Sequence, residues 1–343
     1  MIPYLVVIFI FSLLSETKWR GRYPLRIVAV VLLILFIGLR NEIGTDYNAY
    51  KEMFYDTEYF GIDEVYYEPG WYILNKFILG YTSEFKVITL IHAALLVSLL
   101  YLALKDFKYY TFAFVLFILL EQGYIIIANV MRQGLAMAVF FYSWRFIRSQ
   151  EALKYWICIL LASTVHTSIL FISPVYWLAN RMYSYRVYLI VQFASLILFF
   201  THLMNTLLLR LVSFTSYVGY LDSIFIDSGM NSGIKYLICR VGSLFILLYY
   251  DKLLKKYPQY IVPFNMFFFS VVAGDLFANI WILARMANYF TWSSFIVLPL
   301  FLTTAFKREA SYRIALSFVL AAVLLFFIHR VYTNMPVPLF YTF

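Results

Sequence analysis

The sequence predicts an all-α, polytopic membrane protein of about twelve spans, and three observations carry that expectation. Of 343 residues, 64% are hydrophobic and 13% charged, about half the ~25% charge of a water-soluble domain. Long apolar runs such as 27–39, 187–200 and 314–328 do not alternate apolar with polar residues, so they read as helices rather than barrel strands. In lipid every backbone polar group must be satisfied internally, which leaves only helices or closed barrels. The chain, 1–343, reads as a single integral membrane domain.

The first span is 2–14. No positive side chain precedes it, and Lys18, Arg20, Arg22 and Arg26 follow it, the reverse of a cleaved signal. It is expected to be retained, with its N-terminus outside. The further spans are 27–39, 86–104, 109–122, 131–147, 155–165, 168–180, 187–201, 233–250, 260–281, 287–306 and 314–330. Several fall short of the ~20 residues a perpendicular helix needs.

Lys and Arg stay on the cytoplasmic side of a membrane, and this threading makes six inner connections basic. They begin with Lys18–Arg26 and continue through Lys105 and Lys108, then Arg145, Arg148 and Lys154. Arg181 and Arg186, then Lys252, Lys255 and Lys256, and finally Lys307, Arg308 and Arg313 complete them. The net charge of +9 is therefore spread over short loops and points to orientation, not to nucleic acid. It places 40–70 and 213–233 outside, and 252–256 and 307–313 inside. The short amphipathic stretch 71–80 is expected to lie on the outer surface or to re-enter.

Arg40, Arg132, Arg210, Arg240, Arg285 and Arg330 fall at or beyond the outer halves of spans. Ionisable residues at membrane depth are expensive and point to function, although each could also snorkel or pair internally. The outer stretch 40–70 is acidic, with Glu42, Asp46, Glu52, Asp56, Glu58, Asp63, Glu64 and Glu68, and rich in tyrosine, including Tyr47 and Tyr50, with Trp71 following. Rings flanked by carboxylates suit sugars, and equally suit an interfacial aromatic belt. The loop 213–233 reads as a lid or as a connector.

Cys158 and Cys239 lie in apolar stretches, too far apart in sequence for a disulfide framework or a metal knuckle. No phosphate loop, HExxH or nucleophile elbow is present. His92, His166, His202 and His329 are isolated from one another, and each falls in the outer half or at the outer end of its span.

Four motifs occur in order. Gly38-Leu39-Arg40 leads into Gly44-Thr45-Asp46-Tyr47-Asn48-Ala49-Tyr50. Glu68-Pro69-Gly70-Trp71 follows, with Leu74-Asn75. Met131-Arg132-Gln133-Gly134-Leu135-Ala136 opens one span and His166-Thr167-Ser168 another, running on to Pro174. Later come Arg285-Met286-Ala287-Asn288-Tyr289-Phe290 and a tail, Asn334–Tyr341, with Pro336 and Pro338. Over nearly the whole chain this set resembles the EpsG-like family of bacterial Wzy-type polysaccharide polymerases; the stretch 187–260 matches it least.

The resemblance implies a GT-C-like helical membrane fold in the bacterial cytoplasmic membrane, with its active site facing outside. It implies a glycosyltransferase that needs no metal or other cofactor and polymerises undecaprenyl-pyrophosphate-linked repeat units into O-antigen, capsule or exopolysaccharide. Its partners would be those lipid-linked glycans, membrane lipid and a chain-length regulator protein, but no nucleic acid. The alternative from another class is a lipid-linked oligosaccharide flippase. A transporter should show internal repeats and a through-pathway of charge; here no repeat is found and the unusual charges sit on one side.

A pyrophosphate leaving group calls for arginine, whose planar fork pairs phosphate oxygens two at a time. Arg132 and Arg285 lead, followed by Arg40 and Arg240, and the helix beginning near Asn129 would aim its N-terminal amides outward. The base for the sugar hydroxyl is expected to be Asp46 on its Gly44 turn, with His166 as competitor and Glu68 behind. Tyr47, Tyr50, Trp71 and Gln133 are the expected sugar-binding residues.

Overall fold

The computed structural model describes residues 2–15, 23–120, 123–124, 126–201, 203, 206–207, 210, 234–277 and 281–333. These residues contain helices and connectors and no strand. Contacts divide the chain into two compact units: Met1–Ser173 with Arg313–Phe343, and Pro174–Tyr312.

The first unit begins with α1 (Ile2–Ser15) packed on α2 (Tyr23–Gly38) and on α6 (Tyr110–Leu119). α5 (Phe85–Leu104) lies against both α2 and α8 (Met131–Arg148), and α8 also packs on α9 (Ala152–Ser163). The α2–α5 crossing is close because Gly38 has no side chain. A Cβ there would stand 2.7 Å from the Leu90 Cα, and the Thr89 hydroxyl donates to the Gly38 carbonyl at 2.6 Å. Small residues permit such approaches between helices in lipid. Leu96, Val97, Leu100 and Leu104 carry the buried face of α5 onward.

Two helices occupy the stretch expected as an outer loop. α3 (Tyr47–Tyr59) and α4 (Pro69–Leu79) pack on one another. α3 forms because Tyr47, Tyr50, Met53, Phe54 and Thr57 recur at helical spacing and bury one face. So 40–70 is not a structureless loop: Glu52, Asp56 and Glu58 lie on α3 away from its buried face. α4 agrees with the helix expected at 71–80 and buries Trp71, Asn75 and Ile78.

A short helix, α7 (Ile126–Asn129), leads into α8 across a single non-helical residue, Val130, at φ −116°, ψ 70°. The span expected at 168–180 is broken. α10 (Ile169–Ile172) and α11 (Tyr176–Ala179) are separated by a 3₁₀ turn at Ser173–Val175, where Pro174 lacks the amide a continuous helix needs.

In the second unit α15 (Ile261–Phe277) packs on α12 (Tyr185–Phe200), on α13 (Ile234–Leu248) and on α16 (Trp281–Thr291). α14 (Tyr250–Lys256) and α17 (Ser294–Ala305) complete it; α18 (Glu309–Thr333) belongs to the first unit from Arg313 onward. Buried Asn265 joins α15 to the chain after α11, donating to the carbonyls of Ala179 and Arg181 at 2.7 and 2.8 Å.

By length and composition, three stretches among the described residues could cross a membrane: Phe85–Leu104, Pro258–Phe277 and Glu309–Ile328. The pair Leu283–Thr291 and Ser294–Ala305, bent by 51°, could form a fourth span. The remaining apolar helices run 10–17 residues, below the ~20 needed to cross alone, so helix length among the described residues does not by itself establish about twelve spans. Large apolar side chains face outward along α1, α2, α12 and α18, among them Phe9, Ile27, Phe193 and Phe318. Water would not tolerate apolar surface on that scale. The loop 213–233, His202 and the tail from Asn334 lie outside the described residues.

Candidate active site

The site is assembled around the one-residue break at Val130. On its N-terminal side the turn at Gly44 docks against Ala128 and Asn129. Gly44 has φ +111°, and a Cβ there would stand 2.5 Å from the Ala128 carbonyl oxygen. Only glycine accepts both conditions. The Thr45 amide donates to Asn129 Oδ1 at 2.8 Å, and the Thr45 hydroxyl donates to Asp46 Oδ1 at 3.0 Å. On the C-terminal side the Arg132 amide donates to the Tyr50 hydroxyl at 3.4 Å. Burial pushes the Tyr50 phenol above its ordinary range and the neighbouring Arg132 pulls against it. The net effect keeps the hydroxyl protonated.

α4 contributes Glu68 from the position just before its first turn, with Pro69 at N1. Gly70 allows α4 to touch the turn after α9. Its amide donates to the Thr164 carbonyl at 2.7 Å, and a Cβ there would lie 2.4 Å from Thr164 Oγ1. Glu68 therefore arrives beside His166 and Thr167.

One carboxylate collects four donors. Glu68 Oε1 stands 3.1 Å from His166 Nδ1 and accepts from the Thr167 amide at 2.9 Å and the Thr167 hydroxyl at 3.3 Å. Glu68 Oε2 accepts from an Arg132 guanidinium nitrogen in a short ion pair. Burial pushes the Glu68 carboxyl up, but the His166 hydrogen bond, the Arg132 charge and the Thr167 amide outweigh it and hold it at about 2. A carboxylate so strongly satisfied is a poor base and a good orienting anion. Side-chain exposure is 12% for Glu68, 17% for Arg132 and 24% for His166, so the cluster is shielded yet reachable.

Other expected site residues stand elsewhere. Trp71 is fully buried, edge-on to Tyr50 at 5.8 Å. Tyr47, Tyr50 and Gln133 are buried too. All four side chains expected to bind sugar are therefore enclosed within the first unit. The exposed aromatics at the α3–α4 connection are Tyr59 and Tyr66, 77% and 79% exposed. Arg40 is fully enclosed and donates to the Ile37 carbonyl at 3.1 Å; enclosed this way, it offers no surface to a pyrophosphate.

Arg240 and Arg285 belong to the second unit. Arg285 is partly exposed on α16. Arg240 is committed to an ion pair with Asp275 on α15, which also accepts from the Ser195 hydroxyl at 2.6 Å. Asp275, Asn129 and Thr167 are site or network residues that sequence reasoning missed. His166-Thr167-Ser168 was visible as a motif, but only the fold shows that the Thr167 amide is aimed at Glu68. Among the described residues no three His, Cys, Asp or Glu side chains converge as a metal-ligand set.

All-helical among its described residues, with a lipid-suited surface and a shielded arginine–carboxylate–histidine cluster at helix ends, the chain has the build of a membrane protein. The model of the EpsG family matches residues 23–341, nearly the full length, and the chain belongs to that family. The family is one of Wzy-like polymerases, so the chain is a membrane protein of the polysaccharide-polymerase type. No match was found among curated proteins or solved structures.

Proposed function

We propose that this protein joins undecaprenyl-pyrophosphate-linked oligosaccharide repeat units at the outer face of the bacterial cytoplasmic membrane, without a metal. The growing glycan on its lipid is the donor and a single lipid-linked repeat unit is the acceptor. The observation that carries the proposal is Glu68, which gathers Arg132 and His166 into one cluster.

The acceptor hydroxyl attacks the anomeric carbon of the donor, and the bond from that carbon to the pyrophosphate oxygen breaks. Arg132 pairs with the departing pyrophosphate as its charge grows, the service that preorganised donors give an oxyanion. The Glu68 carboxylate facing His166 Nδ1 keeps the proton on that nitrogen, leaving Nε2 to take the hydroxyl proton. A histidine oriented by a buried carboxylate is a recurrent general base. We therefore prefer His166, the competitor, to Asp46 as the base. Asp46, tied to Thr45 beside Tyr50, orients the acceptor. Arg285, on the second unit, remains a candidate phosphate ligand in its own right.

Purified full-length enzyme with a synthetic lipid-linked repeat tests this. Asp46→Asn should keep most of its turnover, and His166→Ala should lose about 10²-fold or more. A dead Asp46→Asn beside an active His166→Ala would return the base to Asp46. In the native host, deletion should abolish the polymer ladder and leave one-repeat material. Loss of all surface repeats would instead indicate a flippase.

A further inference from the structure

α5 sends one polar ring into the wall of the site. His92 is fully buried, and its Nε2 lies 2.9 Å from the carbonyl oxygen of Met131, the first residue of α8 after the Val130 break and the neighbour of Arg132. A carbonyl only accepts, so Nε2 carries the hydrogen and donates it. Around the ring are Trp71, at 6.4 Å between ring centres, and the charge of Arg40. Burying a polar ring among apolar neighbours is costly unless its hydrogen bonds are made, and packing alone would favour an apolar residue.

The attachment point of His92 is rigid. Thr89 and Leu90, within one turn of it, are locked to the end of α2 by the Gly38 approach and the Thr89 hydrogen bond. Its two contacts reach both halves of the ion pair: Trp71 follows Glu68 by three residues on α4, and Met131 precedes Arg132 on α8. A helix restarting after one non-helical residue has freedom at its first turn. His92 removes that freedom at the residue next to the arginine.

We propose that His92 is a positioning residue for Arg132: its hydrogen bond to Met131 fixes the start of α8, and so the direction of the guanidinium. The link to pyrophosphate binding rests on the polymerase reading; the link to Arg132 itself does not.

The experiment uses full-length protein in lipid nanodiscs, with His92→Leu and His92→Asn removing the donor and His92→Gln returning an N–H to the Nε2 position. Phenylglyoxal labelling of Arg132, followed by peptide mass spectrometry, needs no substrate, and buried Arg240 reports any general unfolding. Labelling should rise about threefold or more in the Leu and Asn variants, the weight of one buried hydrogen bond, and stay near wild type in the Gln variant. Binding of farnesyl pyrophosphate should weaken about fivefold in the same two variants and recover in the third. Unchanged Arg132 labelling in both Leu and Asn variants overturns the proposal, as does a Gln variant as disturbed as they are. Wild type that fails to bind the probe while Arg132 labelling still follows His92 would overturn the pyrophosphate reading and uphold the positioning role.

Discussion

Glu68 and Asp275 each hold an arginine, one in each unit, and they are built to different ends. Glu68 sits where a helix begins and takes its donors from a guanidinium, a backbone amide, a hydroxyl and an imidazole. Its partners come from turns and helix starts, and each retains some exposure. Asp275 lies in the last turn of α15, fully enclosed, and takes its donors from the bodies of α12 and α13, with buried Ser195 and Gln192 beside the Arg240 pair. An enclosed ion pair locks helices together. One whose members keep some exposure leaves a cation addressable from outside. Both began as the same kind of residue in the sequence, an arginine at the edge of an apolar run.

The strongest test of this contrast is to break the enclosed pair. Arg240→Ala leaves the Asp275 charge buried, and should cost about 3–5 kcal/mol of stability. Replacing both, with Arg240→Met and Asp275→Leu, should restore most of that, because matched apolar packing often equals a buried pair. Thermal unfolding in detergent measures both. A stable but inactive Arg240→Ala protein would show that the second pair is a site after all.

Next in size is Arg132→Ala, expected to lower turnover about 10²-fold at equal protein abundance, like removal of one oxyanion donor. Its melting temperature should move far less than that of Arg240→Ala. Arg132→Lys should rescue poorly, since it restores charge without the fork. Unchanged polymer yield in Arg132→Ala would make this arginine structural as well.

The pH response separates the pairs again. The folded Glu68 carboxyl is held at about 2, against an ordinary 4.5. Its contribution to stability is therefore present above about 4.5 and is lost as pH falls toward about 2, since the unfolded chain binds the proton first. Between those limits wild type should lose more stability than Glu68→Gln. Parallel curves would mean that the cluster is not assembled in the membrane.

The smallest effect belongs to Tyr50→Phe. Its hydroxyl meets the Arg132 amide at 3.4 Å, a long bond, so the loss should stay near threefold in turnover, within the lower range for one hydrogen bond. A loss as large as that of Arg132→Ala would give the hydroxyl a direct part in the reaction.

The sequence by itself determined the class of this protein, because hydropathy, charge and helical period are local properties that a short window contains. It marked most of the longer apolar helices to within a few residues, merged α16 and α17 into one span at 287–306, and picked out Glu68, Arg132 and His166 as separate candidates. α3 escaped, since an amphipathic helix rich in tyrosine and carboxylates has the composition of a polar loop and reveals itself only once one face is packed. Only the tertiary structure decided which arginine meets which carboxylate. Glu68 finds Arg132 across 64 residues and His166 across 98, while Arg240 is taken up by Asp275, which lay hidden in an apolar run. The same packing turned Trp71, Tyr47 and Tyr50 inward and left Tyr59 and Tyr66 outside. Burial and charge pairing depend on what the rest of the chain brings to each side chain, and no local pattern of residues encodes that.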